Sequence, residues 1–289
     1  MLFSLAHVAL AALALVQQID TTVPVQQGQR LVVDSHGGDI DITTWARNAV
    51  RVEAESGPRG GVEVVTAAGT VRVRTEGRRG PPPAVDLRIT APAWMGLDLS
   101  GVYTDVTVKG TRGPVNVETV QGSVDVTGGE GLVSLSSVEG SVSLKGAKGR
   151  IEVHSVNDDV NVSDATGDIV AETVNGEIVL ERVDATSLEA TTVNGDLGYD
   201  GPIRRGGRYE LSSHNGDVTV AVTEQTSASF TVSTFNGDFE SVVPVTLRDA
   251  RKGKRFSFTL GGGGAQVSLE SFQGTVRLVR PRQATTSEH

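Results

Sequence analysis

An acidic residue follows a tight bend again and again along this chain. It is Asp39 in SHGGDIDI, Asp159 in SVNDDVNV, Glu177 in TVNGEIVL, Asp196 in TTVNGDL, Asp217 in SSHNGDV and Asp238 in STFNGDF. Carboxylates repeated along one edge are hard oxygen ligands that could hold Ca²⁺, or they could meet a carbohydrate. Spaced about 5 Å apart they repel one another unless solvent, backbone amides or a cation screens them. The competing explanation is turn chemistry, because Asx side chains bond the backbone of their own turn. The candidate binding column is Asp159, Glu177, Asp196, Asp217 and Asp238, with Ser123, Ser141 and Thr275 at the same position elsewhere. At Asn157-Asp158-Asp159 an Asp stands where the other units have Gly, as fits a residue that tolerates the left-handed region.

The remaining reactive side chains form no recognisable catalytic set. His7, His36, His154, His214 and His289 lack the close spacing of metal ligands. Ser is abundant without the context of a nucleophile elbow, and Gly261–Gly264 lacks the Lys and the helix of a phosphate loop. A glycan-cleaving enzyme would group its carboxylates in a groove with aromatic rings for sugar stacking. Here Trp45, Trp94, Tyr103, Tyr199 and Tyr209 are scattered. The expectation is a non-catalytic protein with no cofactor and no metal.

Composition narrows the class. The chain has 289 residues, 35 Gly, 4% aromatics and no Cys, which excludes disulfides and thiolate chemistry. The net charge of −9 gives no overall attraction to nucleic acid or anionic lipid. Residues 1–18, MLFSLAHVALAALALVQQ, read as a signal peptide with Ala12-Leu13-Ala14 as a small-x-small cleavage pattern. The run is shorter than the roughly 20 apolar residues of a membrane span. Export to the periplasm, cell surface or medium is the expectation, with no membrane span in the mature chain.

What must position the acidic residues is a repeat. Gly122, Gly140, Asp158 and Gly176 follow one another at steps of 18 residues, Gly195 comes 19 later, and Gly216 and Gly237 follow at steps of 21. Thr104 marks a degenerate copy, and Gly38 and Gly274 look like outlying members at the two ends. Each unit has an alternating strand, a bend, a second alternating strand and a small-residue turn such as GGEG, GAKG or DATG. Read alone, Asn175-Gly176 is a hairpin turn. Read in series, it is one corner of a coil whose strands stack in parallel about 4.8 Å apart. Thr173 and Val174 are adjacent and both suit an interior, and a corner that turns both inward favours the coil. The fold expected is all-β: a single-stranded parallel β-solenoid (β-helix) with 18–21 residues per coil. Stacked Asn157, Asn175, Asn194, Asn215 and Asn236 would form a hydrogen-bonded ladder.

The flanks lack the beat. Residues 20–100 contain strand-like runs and read as an irregular β cap, continuous with the repeats at 101–280, that hides the open end of the stack. The segment between Gly237 and Gly274, with RDARKGKR, reads as a loop-out, and 281–289 as a disordered tail.

The chain resembles a bacterial putative-adhesin β-strand-repeat family of unknown function, related to auto-transporter-adhesin-like head domains. SHGGDIDITTW, APAWMGLDLS, the serial VNGD units and TLGGGGAQVSLESFQGTVRL carry the resemblance, over roughly residues 22–280. It implies an exported or envelope β-solenoid and supplies no catalytic residues. Three functions follow: an adhesin-like binding or scaffold protein, a glycan-active β-helix enzyme, and a sensory or scaffold domain of an envelope-stress system. The partner expected is an unknown protein or glycan, with self-association through the edges of the stack also open.

Overall fold

The computed structural model describes residues 17–56, 60–67, 69–77, 80, 82–247 and 255–281. The expected signal segment falls almost wholly outside them, and all but the first residue of the tail does too. The N-terminal third supplies β1 (Gln17–Pro24), β2 (Arg30–Gly37), β3 (Ile40–Trp45), β4 (Ala49–Ser56), β5 (Gly60–Ala67), β6 (Thr70–Gly77), β7 (Leu87–Pro92) and β8 (Gly96–Tyr103). The repeats supply β9 (Val106–Thr111), β10 (Val115–Gln121), β11 (Val124–Gly128), β12 (Glu130–Glu139), β13 (Val142–Lys145) and β14 (Lys148–Ser155). They continue with β15 (Val160–Ser163), β16 (Thr166–Asn175), β17 (Ile178–Glu181), β18 (Asp184–Asn194), β19 (Leu197–Asp200), β20 (Arg208–Asn215) and β21 (Val218–Ala221). Last come β22 (Ala228–Thr234), β23 (Phe239–Ser241), β24 (Arg255–Leu260), β25 (Ala265–Gln273) and β26 (Val276–Val279).

These strands form two sheets of 13, and the chain passes from one to the other at every corner. One sheet runs β1-β4-β7-β3-β9-β11-β13-β15-β17-β19-β21-β26-β23, and the other β24-β22-β25-β20-β18-β16-β14-β12-β10-β8-β2-β6-β5. Each repeat unit thus gives one of its two alternating strands to each sheet. β16 and β17 do not pair with each other: β16 lies parallel between β14 and β18, and β17 parallel between β15 and β19. The hairpin reading of Asn175-Gly176 is thereby excluded. Among the described residues, the antiparallel pairs are β1–β4, β4–β7, β5–β6 and β22–β24, all at the ends of the stack.

Alternation in each strand makes this possible, because inward positions are apolar and outward ones polar. Ile169 and Ala171 of β16 are buried opposite Ile178 and Leu180 of β17, and Val115, Val117, Val124 and Val126 repeat the arrangement in an earlier unit. The constant period stacks like on like, which fills a thin core with Val, Ile, Leu and Ala. Of the seven Phe, six fall between residues 230 and 272. Phe230 and Phe258 stack at 4.9 Å and Phe239 meets Phe256 edge-on, closing the C-terminal end of the core.

The stack order departs from the chain order at both ends. β2 and β3 sit between β6–β7 and β8–β9, although β6 and β7 come later in sequence. β25 and β26 likewise slot between β20–β21 and β22–β23. Gly38 and Gly274 therefore lie inside the stack rather than at its ends. The segment expected to loop out before Gly274 instead contributes β24, which covers the edge of β22; residues 248–254 of it lie outside the described set.

Candidate functional site

The corner between the two sheets gathers every candidate residue into rows. At the corner itself the carbonyl of one unit points at the glycine of the next: a Cβ on Gly195 would lie 1.9 Å from Gly176 O, and one on Gly176 2.2 Å from Asp158 O. The glycines are needed for this close approach. Three residues before the corner stands a buried hydroxyl that donates to the same carbonyl. Ser137 bonds Gly122 O at 2.9 Å, Thr173 bonds Asp158 O at 2.9 Å, Thr192 bonds Gly176 O at 3.0 Å and Ser213 bonds Gly195 O at 2.9 Å. Thr119, Ser155 and Ser271 continue the row. Sequence reading missed this row, although a Ser or Thr three residues before each corner was visible.

Because Thr173 points inward, Val174 points out. It is 40% exposed, so the expectation that both turn inward fails: alternation holds through Val174 and stops at Asn175, which is exposed too. Val120, Val138, Val156, Val174 and Val193 form an exposed ridge along the corner, extended by His214, Phe272 and Phe235. The three rings stack in turn, at 4.7 Å between His214 and Phe272 and 4.6 Å between Phe272 and Phe235.

The residue just before each corner forms an amide row. Asn175 Nδ2 donates to Asn157 Oδ1 at 2.9 Å, Asn194 Nδ2 to Asn175 Oδ1 at 2.8 Å, and Asn215 Nδ2 to Asn194 Oδ1 at 2.7 Å. Gln273 is the next neighbour of Asn215, and Asn236 lies one place beyond it.

The carboxylates follow the corner. Asp159 Oδ1 accepts the Glu177 amide at 2.7 Å, Asp196 Oδ1 the Asp217 amide at 2.8 Å, and Asp217 Oδ1 the Thr275 amide at 2.7 Å. Asp105 does the same for Ser123 at 2.6 Å. Asp159, Glu177, Asp196 and Asp217 are consecutive, and Thr275 separates Asp217 from Asp238. These Asp residues thus bind the next unit's backbone, one step further along the stack than an Asx turn would. Among the described residues, no group of three or more His, Cys, Asp or Glu is placed to hold a metal ion.

Two carboxyls respond in opposite senses. Burial pushes Asp217 up, but the Thr275 amide and the Arg277 guanidinium outweigh it and hold the carboxyl below its ordinary value. Burial and then the charges of Asp86, Asp105 and Asp41 raise Asp39. A depressed carboxyl stabilises the fold above the unfolded value of about 4 and stops doing so as pH falls through its folded value; a raised one destabilises until it is protonated. Asp217→Asn is expected to destabilise at neutral pH and Asp39→Asn to stabilise, each by about 1 kcal/mol or less given solvent screening. Both differences fade as denaturant melts are repeated below about pH 4; a same-sign effect would contradict the assignment.

Elsewhere, a shallow depression of about 130 Å³ lies over Gly198, bordered by Glu177, Glu181, Tyr199 and Asp200. Tyr199 and Tyr209 are buried, where the Tyr209 hydroxyl donates to Ala185 O and accepts from the Arg204 amide, both at 2.7 Å. Among the described residues, no helix is long and apolar enough to cross a membrane.

Two large, mostly parallel sheets, joined by corners that carry in-register rows, define an all-β repeat protein. The chain belongs to the Toastrack DUF4097 family, whose profile matches residues 16–279. No curated protein matches the chain in sequence. Solved structures similar to it include a putative adhesin from Bacteroides fragilis, 12% identical over 91% of this chain and 97% of that one, with a TM-score of 0.37. A putative lipid binding protein from Parabacteroides distasonis is 10% identical over 91% and 97%, with a TM-score of 0.39. A putative cell adhesion protein from Clostridium sporogenes is 8% identical over 91% and 98%, with a TM-score of 0.25.

Proposed function

We propose that this chain is a non-catalytic, exported β-solenoid that acts by binding a protein or glycan of the bacterial envelope or surface along its corner. On this reading the two sheets are the long walls of one flattened coil, and residues 20–100 cap its N-terminal end. The observation that carries the proposal is the ridge. Of eleven exposed large apolar side chains among the described residues, six (Val120, Val138, Val156, Val174, Val193 and Phe235) fall in this one row. Contiguous exposed apolar surface rimmed by polar groups is what an interaction site looks like. The rim is supplied by the amide row and by Asp159, Glu177, Asp196, Asp217 and Asp238; Asp159 and Asp196 each commit one oxygen to the backbone and keep the other for a partner.

The test is the triple variant Val138→Asp, Val156→Asp, Val174→Asp. It should retain the wild-type circular dichroism, because all three side chains face outward, with a melting temperature lowered only modestly by repulsion between carboxylates stacked about 5 Å apart. Binding to intact cells and to isolated envelope polysaccharide and protein fractions should fall at least about tenfold, a loss of ~1.4 kcal/mol. Wild-type binding by a folded variant would remove the ridge from the proposal. Hydrolysis of the same polysaccharides, lost on changing a single carboxylate such as Glu181→Gln, would overturn the non-catalytic reading.

A further inference from the structure

Four corners carry Asn-Gly: Asn175-Gly176, Asn194-Gly195, Asn215-Gly216 and Asn236-Gly237. Such a pair is chemically labile, because the glycine has no side chain to obstruct its amide nitrogen from closing on the preceding side chain. All four Asn are exposed, so exposure does not distinguish them. Hydrogen bonding does. Asn175 and Asn194 have both ends of the amide held in the ladder, Nδ2 as donor and Oδ1 as acceptor. Their glycine amides are also engaged, Gly176 N–H with Asn194 O at 3.0 Å and Gly195 N–H with Asn215 O at 3.1 Å. Asn215 keeps the Nδ2 bond, while the Gly216 amide has no acceptor among the described residues. Asn236 stands in the outermost unit of the stack. Its own N–H is held by Phe272 O at 2.9 Å, but neither its side chain nor the Gly237 amide has a hydrogen-bond partner among the described residues.

We propose that Asn236 is a site of spontaneous modification, converting through a cyclic succinimide to aspartate and isoaspartate, and that the amide ladder protects the other three corners in graded fashion. The deprotonated Gly237 nitrogen attacks Asn236 Cγ, a C–N bond forms, the bond from Cγ to Nδ2 breaks, and ammonia leaves. Water then opens the ring at either carbonyl. One water is consumed, one ammonia is released and one negative charge is gained beside Asp238, with no oxidant or reductant involved. The isoaspartyl product also lengthens the backbone by one methylene between β22 and β23.

The experiment incubates the purified full chain in mildly alkaline buffer and follows each Asn-Gly peptide by mass spectrometry, with isoaspartate scored separately. Asn236 should convert at least about tenfold faster than Asn175 and Asn194, the factor that ~1.4 kcal/mol of local opening supplies, with Asn215 between. In denaturant the four rates should converge. Asn194→Ala, which removes the acceptor of Asn215 Nδ2, should accelerate Asn215 and leave Asn236 unchanged. Four similar rates in the folded chain, or no acceleration of Asn215 in that variant, would overturn the proposal.

Discussion

Gly195→Ala is expected to lower the stability of the chain by about 3 kcal/mol, more than most single-methyl changes. The added carbon would lie 1.9 Å from Gly176 O and 2.5 Å from its carbon, and both atoms belong to backbone that is itself held from either side. Relief would require pulling two units apart at the corner, which would also stretch the Thr192–Gly176 hydrogen bond. Gly61→Ala is the matched control. Gly61 lies in β5 with nothing within 4 Å of the new methyl, so stability should stay level or rise by up to ~1 kcal/mol. Urea melts of both variants decide the matter. If Gly195→Ala melts like the wild type, the corner is looser than described.

Leu180→Ala should cost about 2–5 kcal/mol, because the side chain is fully buried and its removal leaves a cavity that a regular sheet cannot collapse to fill. Val174→Ala, only a few residues away, should change stability by no more than ~0.5 kcal/mol. Thr173→Val belongs with the first of these: it removes the donor to Asp158 O and should cost about 1–3 kcal/mol. Denaturation of the three variants separates an outward Val174 from an inward one. A large loss on Val174→Ala would restore the reading in which both residues of the doublet face the core.

The period was the most legible feature of the sequence, and it is what aligns Asn157 with Asn175 and Asp159 with Glu177. A constant spacing places equivalent residues in adjacent strands whatever the details of the corner. The direction of Val174 was harder to read. The interior position before it is taken by a hydroxyl, and a polar residue draws attention outward even when a carbonyl satisfies it inside. The carboxylates were visible as a column, but their backbone amide partners were not, since those bonds run between units rather than within a turn. The order of units at the two ends was not written locally at all. Nothing in QRLVVDS or TLGGGGAQVSL says which neighbours flank it, because stacking order depends on how the connecting segments route the chain.

That routing has a mechanical and temporal consequence. β25 and β26, the last of the described strands in chain order, are hydrogen-bonded on both flanks, so a pull on the chain beyond Val279 must shear two ladders at once instead of peeling one. The same splice makes arrival of β25 and β26 a condition for closing that end of the stack. Until Ala265–Val279 has been delivered, β22 and β23 lack their parallel partners in the stack, β22 has only β24 beside it, and the aromatic plug of Phe230 and Phe258 has no floor. A chain cut short before that point would display an open, unfinished end.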